Sequence, residues 1–221
     1  MKAVIFDIDG TLIDSVDLHA KAWQEAFAQF KIETKFVDVR NQIGKGGDKL
    51  MPTFLTKAQI DDFGKELEEW RGEHYKKNYI HKVRAFHDSH ALLAKTKQNG
   101  SLLAAGSSAK QDELDHYLKL LGAADMFDVT TSADDVDESK PDPDIFQVAL
   151  KRLGTNFENT IVVGDTPYDV IAAAKIGLST VGFLSGGFEE DLLVESGAIK
   201  IYDGPSDLLK NFGASPIRNG R

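Results

Sequence analysis

Two aspartates separated by one residue, Asp7 and Asp9, end the short apolar run that begins at Lys2, and a second acidic pair, Asp165 and Asp169, follows the run from Thr160 to Val163. Ser107 and Ser108 lie just beyond a third run, Ser101 to Ala105, and Lys140 precedes Pro141 after a fourth. Carboxylates in that number are hard oxygen ligands of the kind that suits Mg²⁺, which takes one or two carboxylates and completes its shell with water and substrate phosphate. An ammonium and a hydroxyl suit the remaining phosphate oxygens, so these residue types together point to phosphoryl transfer. Each also has a plain alternative. The first acidic pair could be a solvated turn, the second a helix N-terminal cap favoured by the dipole, and Lys140 a solvated loop lysine. Ser107 and Ser108 compete for one role, and Ser107 is the preferred candidate.

For these groups to meet, the runs must be strands of one parallel sheet, because open parallel sheets bind ligands outside the carboxyl ends of their strands. Strands are expected over residues 2–6, 101–105, 127–131, 160–163, 179–183 and 198–202. Helices are expected over about 87–98, 111–121, 144–153 and 168–176, with Gly100, Gly122, Gly154 and Gly177 just past their last turns. Glycine there takes the left-handed conformation that ends a helix without steric cost. The alternation implies an α/β fold, a Rossmann-like parallel sheet with helices on both faces. From Ser15, Leu18, Ala22, Trp23, Ala26, Phe27 and Phe30 recur at helical spacing, and residues 36–79 stay helical, with a capping box at Thr56 and Gln59. The expected organisation is a discontinuous core, residues 1–14 and 83–213, a small all-helical cap, residues 15–82, inserted after the first strand, and a patternless tail, residues 214–221.

Composition narrows the chemistry further. The 221 residues contain no cysteine, which rules out thiolate catalysis, disulfides and sulfur-held zinc, so any metal is held by oxygen or imidazole. Thirty-five acidic against 26 basic residues, a net charge of −9, argue against sequence-independent nucleic-acid binding. A small anionic substrate is compatible with that charge, because a divalent cation and one or two lysines reverse the local field. No run approaches the roughly 20 apolar residues of a membrane span, and the apolar start runs directly into acidic residues, unlike a signal peptide. A cytoplasmic protein with no membrane partner, a monomer or weak homodimer, is expected.

In order, Asp7-Ile8-Asp9-Gly10-Thr11, Ser107, Lys140 and Gly164 to Asp169 resemble the four motifs of the haloacid dehalogenase-like hydrolase superfamily. The resemblance spans nearly the whole chain, with the helical insertion where that superfamily places its cap. It implies that Asp7 attacks phosphorus to form an aspartyl phosphate, while Asp9 protonates the leaving oxygen and then activates water. It implies that Asp7, Asp165 and the Asp9 backbone carbonyl hold Mg²⁺, with support from Asp169. Gly10, Thr11, Ser107, Ser108 and Lys140 are the candidates for binding the transferring phosphoryl group. The physical logic holds apart from the family: a carboxylate facing a phosphate dianion needs intervening positive charge, and a covalent intermediate divides one hard step into two. Asp9 must carry a proton near neutral pH, so its pKa is expected to be raised.

The stretch from Asp14 to Trp23 is similar to that of β-phosphoglucomutases, and also to that of many simple phosphatases. His19 and Trp23 lie one helical turn apart. His19 is a candidate substrate contact, and Trp23 reads as core. Gly44-Lys45-Gly46-Gly47 lacks the spacing of a nucleotide P-loop; it reads as a plain turn or as a cap loop that brings Lys45 to an anionic leaving group. The cluster from His87 to His90 reads as a helix start. Gly164 stands where β-phosphoglucomutase-like members carry an acidic residue, which favours hydrolysis over mutase chemistry, and Asp9 argues against carbon–halogen cleavage. The expected function is a Mg²⁺-dependent phosphatase acting on a small phosphomonoester, phosphoglycolate-like or sugar-phosphate-like. The alternatives are a phosphosugar mutase and a non-catalytic binding protein on the same fold.

Overall fold

The computed structural model describes residues 2–218 in full and the backbone of Asn219. The first strand, β1 (Ala3–Phe6), is followed at once by β2 (Ile13–Asp14), which pairs antiparallel with β3 (Arg84–Ala85). The chain leaves the core through β2 and returns through β3, a small pairing with no signal in the sequence. Between them lie α1 (Val16–Gln29), α2 (Phe36–Arg40), α3 (Gly47–Leu50), α4 (Lys57–Gln59) and α5 (Lys65–Asn78). These helices bury a cluster of their own, including Trp23, Phe27, Leu50 and Leu67.

After β3 the chain alternates. It forms α6 (Ser89–Gln98), β4 (Leu102–Gly106), α7 (Gln111–Leu120), β5 (Val129–Thr131), α8 (Asp144–Leu153), β6 (Thr160–Gly164), α9 (Pro167–Ala174) and β7 (Ser179–Phe183). Then come α10 (Glu190–Glu195), β8 (Lys200–Tyr202), α11 (Pro205–Lys210) and α12 (Pro216–Asn219). Six strands form one parallel sheet in the order β5-β4-β1-β6-β7-β8. This is the α/β, Rossmann-like architecture that the strand and helix alternation implies.

Side chains alternate across the pleat. Val4 and Phe6 join Leu92, Leu114 and Tyr117 on one face, while Ile5 joins Phe146, Ala149 and Ala172 on the other. Burying each large apolar side chain contributes roughly 1.5–3 kcal/mol, enough to fix the strand's register. That register places Phe6 opposite both Ala105 and Val163, so the three central strands end level with one another. Among the described residues, no helix is long and apolar enough to cross a membrane.

Several boundaries differ from expectation. The edge strands β5 and β8 start two residues late, at Val129 and Lys200, because each has a partner on one side only. Helix α6 starts at Ser89 rather than His87, since Asp88 is left-handed, with φ 64°. Gly100, Gly122, Gly154 and Gly177 all take positive φ, as their helix-ending positions require. The loose tail expected over residues 214–221 is overturned for the described part, Gly220 and Arg221 lying outside the described residues. Residues 212–219 form a 3₁₀ turn and α12, Ile217 is 2% exposed within the main core, and Lys2 donates to the Arg218 carbonyl. One apolar residue among polar neighbours leaves no periodicity for a sequence reading to detect. Ile217→Ala is expected to destabilise the protein by about 2 kcal/mol or more, read from the urea midpoint; an unchanged midpoint would mean the segment is indeed loose.

Candidate active site

The level ends of β1, β4 and β6 bring Asp7, Ser107 and Asp165 to one edge of the sheet, where strand order reverses direction about β1. The Asp7 amide extends the ladder, donating to the Val163 carbonyl at 2.8 Å, and the Ser107 amide donates to Thr131 at 3.0 Å. Lys140, 1% exposed, reaches in from the loop before α8. Its ammonium lies 2.5 Å from Asp7 Oδ1 and 2.7 Å from Asp169 Oδ1, and donates to the Gly106 carbonyl at 3.0 Å. Its three protons thus meet three acceptors.

One cation serves several buried carboxylates. Burial raises the pKa of Asp7, Lys140 opposes that rise, and the charges of Asp169 and Asp9 add to it. Asp165 is raised well above its ordinary value by burial and then by Asp7 and Asp169. Burial alone would lower Lys140, but Asp169 and Asp7 outweigh it and hold the ammonium charged. Asp169 is also the third residue of a capping box on α9: its Oδ2 accepts from the Thr166 amide at 3.1 Å and hydroxyl at 2.7 Å. The structural and chemical readings of Asp169 therefore hold together, one for each oxygen.

The group fits a hard divalent cation. Ligand oxygens of Asp7, Asp165 and Asp169 lie within 4.8 Å of one another, and the buried Asp165 Oδ2 has no hydrogen-bond partner among the described residues. The chain is thinned around that oxygen. A Cβ on Gly10, whose φ is +81°, would approach it to 2.3 Å, and one on Gly186 to 1.7 Å. A buried carboxylate oxygen held bare among carboxylates that repel one another suits Mg²⁺. Thr11, expected at the phosphate, instead donates to Asp165 Oδ1 at 2.7 Å and stands 3.2 Å from Asp7 Oδ2, so it fixes two carboxylates. Ser107 Oγ accepts from the Ala109 amide at 3.1 Å, and Ser108 forms the cleft wall.

Asp9 turns away from this cluster toward the cap. Its Oδ1 accepts from Ser15 Oγ at 2.6 Å and contacts His19 Nε2 at 3.0 Å. Arg71 Nη2 lies 2.8 Å from His19 Nδ1, and a guanidinium can only donate, so Nδ1 is the acceptor. The His19 Nε2–H is then directed at Asp9. His19 also stacks on Tyr75, with centroids 4.0 Å apart, and its Nε2 lies 3.2 Å from the Tyr117 hydroxyl. The expectation of a raised Asp9 pKa is overturned: burial raises it, but His19, Ser15 and Arg71 together outweigh burial and leave it below its ordinary value. Ser15 and His19 bond Asp9 directly, whereas Arg71 of α5 reaches it only through His19, and nothing near Asp9 in the sequence announces that arginine.

Between cap and core lies a cleft of about 300 Å³, lined by Asp7, Asp9, His19 and Trp23 among others. The 44–47 loop dips onto the core. Ser108 Oγ donates to the Gly44 carbonyl at 3.2 Å, and the Gly46 amide donates to Ser139 Oγ at 2.9 Å. Lys45 lines the cleft, bonded to Gln42 at 2.5 Å and lying over the Tyr168 ring, with burial lowering its pKa. Arg40 donates to the Gly186 carbonyl at 2.9 Å, and Tyr168 to the Asn41 carbonyl at 2.6 Å, fastening cap to core. His87 pairs with Asp88 and is not among the residues that line the cleft.

The sequence reading missed Ser15, Arg71, Glu113, Tyr75 and Tyr117. A faint signal exists: Arg71 with Tyr75, and Glu113 with Tyr117, are each four residues apart, placing a charge on the same helix face as a buried aromatic.

The family model described as haloacid dehalogenase-like hydrolase matches residues 4–183. A phosphoglycolate phosphatase of Neisseria meningitidis is 33% identical over 207 residues, 90% of this chain and 87% of its own. A pyrophosphatase, PpaX, of Bacillus velezensis is 31% identical over 187 residues, 81% of this chain and 82% of its own. The crystal structure of a hydrolase from Pseudomonas syringae superposes with a TM-score of 0.89 at 30% identity, covering 96% of this chain and 98% of that one. With strand-end carboxylates, a buried lysine and a helical cap in the places its motifs imply, this chain belongs to the haloacid dehalogenase-like hydrolases.

Proposed function

We propose that the protein is a Mg²⁺-dependent phosphatase that hydrolyses a small phosphomonoester through an aspartyl phosphate on Asp7. The observation that carries this reading is the buried Lys140 ammonium held against Asp7 and Asp169, beside the bare oxygen of Asp165. That arrangement keeps a nucleophilic carboxylate and a cation together at the floor of a cleft closed by the cap. The names of the phosphatase and pyrophosphatase relatives support the same reaction type.

Asp7, Asp165 and Asp169 would hold the metal, which supplies charge stabilisation to the phosphoryl oxygens. An Asp7 oxygen attacks phosphorus as the bond to the leaving oxygen breaks, and Asp9 gives that oxygen its proton. Water then attacks the phosphoryl group, Asp9 takes up the water's proton, and the bond to Asp7 breaks. Lys140 stays beside the charge that moves from carboxylate to phosphoryl oxygens. Asp9 begins as a carboxylate bonded to His19 and Ser15; the negative charge of a bound phosphate nearby raises its proton affinity and loads it as an acid.

Hydrolysis is favoured over the mutase reading at Gly164. A Cβ there would meet Asp169 at 2.6 Å, so an acidic residue at this position would push on the aspartate that holds Lys140.

Two measurements test this reading. In a phosphometabolite panel with Mg²⁺, the wild type is expected to release inorganic phosphate and Asp7→Asn to lose about 10³-fold or more in kcat; no release by a folded wild type would end the reading, and isomerised product without free phosphate would favour the mutase. The second reads metal through stability. Asp7 and Asp165 have pKa values raised in the folded state, so the metal-free native protein holds more protons than the unfolded chain, and stability falls as pH rises from about 5 to 8. Mg²⁺ in large excess over its Kd is expected to raise Tm by about 5 °C or more at the upper pH and by less at the lower. Asp165→Asn should shrink that rise, and a Tm indifferent to Mg²⁺ in the wild type would contradict the site.

A further inference from the structure

Asp165 and Asp169 are buried, and neither is among the residues that line the cleft, although Asp7 and Asp9 are. A cation therefore has no open path across the cleft surface to Asp165, and part of the cover over that residue has to move to admit one. Because Mg²⁺ keeps several waters as it binds, the space it needs is larger than the bare ion.

The cover has two sides. On one lies Gly10, in the buried turn between β1 and β2, where its amide donates to the Ile13 carbonyl at 2.9 Å. On the other lies Gly186, so close that a Cβ there would come within 1.7 Å of Asp165 Oδ2. Gly186 belongs to a turn between β7 and α10 that the Gly187 amide closes by donating to the Leu184 carbonyl at 2.8 Å. Gly187 is exposed and takes φ +78°, and Ser185 Oγ ties the turn to the Gly10 carbonyl at 2.7 Å. A surface turn held by a few hydrogen bonds opens at far lower free energy than a buried one, so the 184–187 turn is the side that can move.

The cap holds that side shut. Arg40 of α2 donates from Nη2 to the Gly186 carbonyl at 2.9 Å and from Nη1 to the Gly187 carbonyl at 3.4 Å. Its Nε donates to Asp17 Oδ1 of α1 at 2.7 Å. The planar guanidinium thus spans two successive carbonyls of the turn, a geometry that suits arginine and not lysine. The fit is close, since a Cβ on Gly187 would approach Arg40 Nη2 to 2.5 Å. Arg40 is not among the residues that line the cleft, so its charge is directed at the backbone over the metal ligand and not at the substrate.

We propose that Arg40 is the strap of a metal gate: by holding the 184–187 turn over Asp165 it slows both the entry and the loss of the divalent cation, and it ties that exchange to the cap. This rests on the reading that Asp7, Asp165 and Asp169 hold a metal. A strap across the passage raises the barrier in both directions. A residue that only shaped the bound site would change the release rate and the Kd together and leave the entry rate alone.

The test uses Mn²⁺, which carboxylate sites also accept. The Mn²⁺-loaded full chain is mixed with excess fluorescent chelator to give the release rate, equilibrium competition with the same chelator gives Kd, and their quotient is the entry rate. Arg40→Met is expected to speed release about fivefold or more, the scale of one hydrogen bond, and to speed entry threefold or more. Asp17→Ala, which removes the exposed anchor of the strap, is expected to move both rates in the same direction by twofold or more, and it decides if Arg40→Met does not fold. An unchanged release rate overturns the proposal, as does a rise in release matched by an equal rise in Kd; both leave the metal site standing. No Mn²⁺ binding by the folded wild type overturns the metal site and the gate with it.

Discussion

The ammonium of Lys140, buried between Asp7 and Asp169, is the interaction on which the rest of the structure depends. A buried ion pair seldom adds net stability, because desolvation opposes the Coulomb attraction, but removing one partner leaves an uncompensated charge at high cost. Here the imbalance is built in: with Asp165 the cluster holds more carboxylates than cations, Thr11 bonds two of those carboxylates, and the glycines at 10 and 186 leave room beside Asp165. The apolar sheet supplies the offsetting energy. Strands buried on both faces fix the level ends that bring a lysine from one loop to aspartates on two others.

The cap reaches the end of β1 through Asp9. Asp7 belongs wholly to the core, but Asp9 is oriented by Ser15 and His19, and His19 by Arg71 from the cap helix opposite. Asp9 is thereby linked, through His19, to the cap wall of the cleft. Loop contacts at Gly44, Gly46 and Arg40 keep that wall against the core.

The sheet was legible because its strands are short apolar runs that end in acidic or small polar residues, and because glycine marks four helix ends. The residues gathered at the sheet edge, Asp7, Asp165, Lys140 and Asp169, could be named because each follows or precedes such a run. What lay beyond reach depended on packing between distant helices. The Asp9 environment is set by residues up to 62 positions away, of which Arg71 sits in a helix that is polar on most faces. Thr11 looked like a phosphate contact, yet three-dimensional proximity to Asp165 claims its hydroxyl. The burial of Ile217 is likewise a tertiary fact with no local pattern to announce it.

The central claim is that Asp7 carries the phosphoryl group between substrate and water. Its most direct test is rapid acid quench during turnover of the best substrate, followed by peptide mass spectrometry. A transient phosphoryl-sized mass increase on the peptide containing Asp7, absent in Asp7→Asn, is the predicted result. Full turnover with no modification of that peptide, or wild-type turnover by Asp7→Asn, would contradict it.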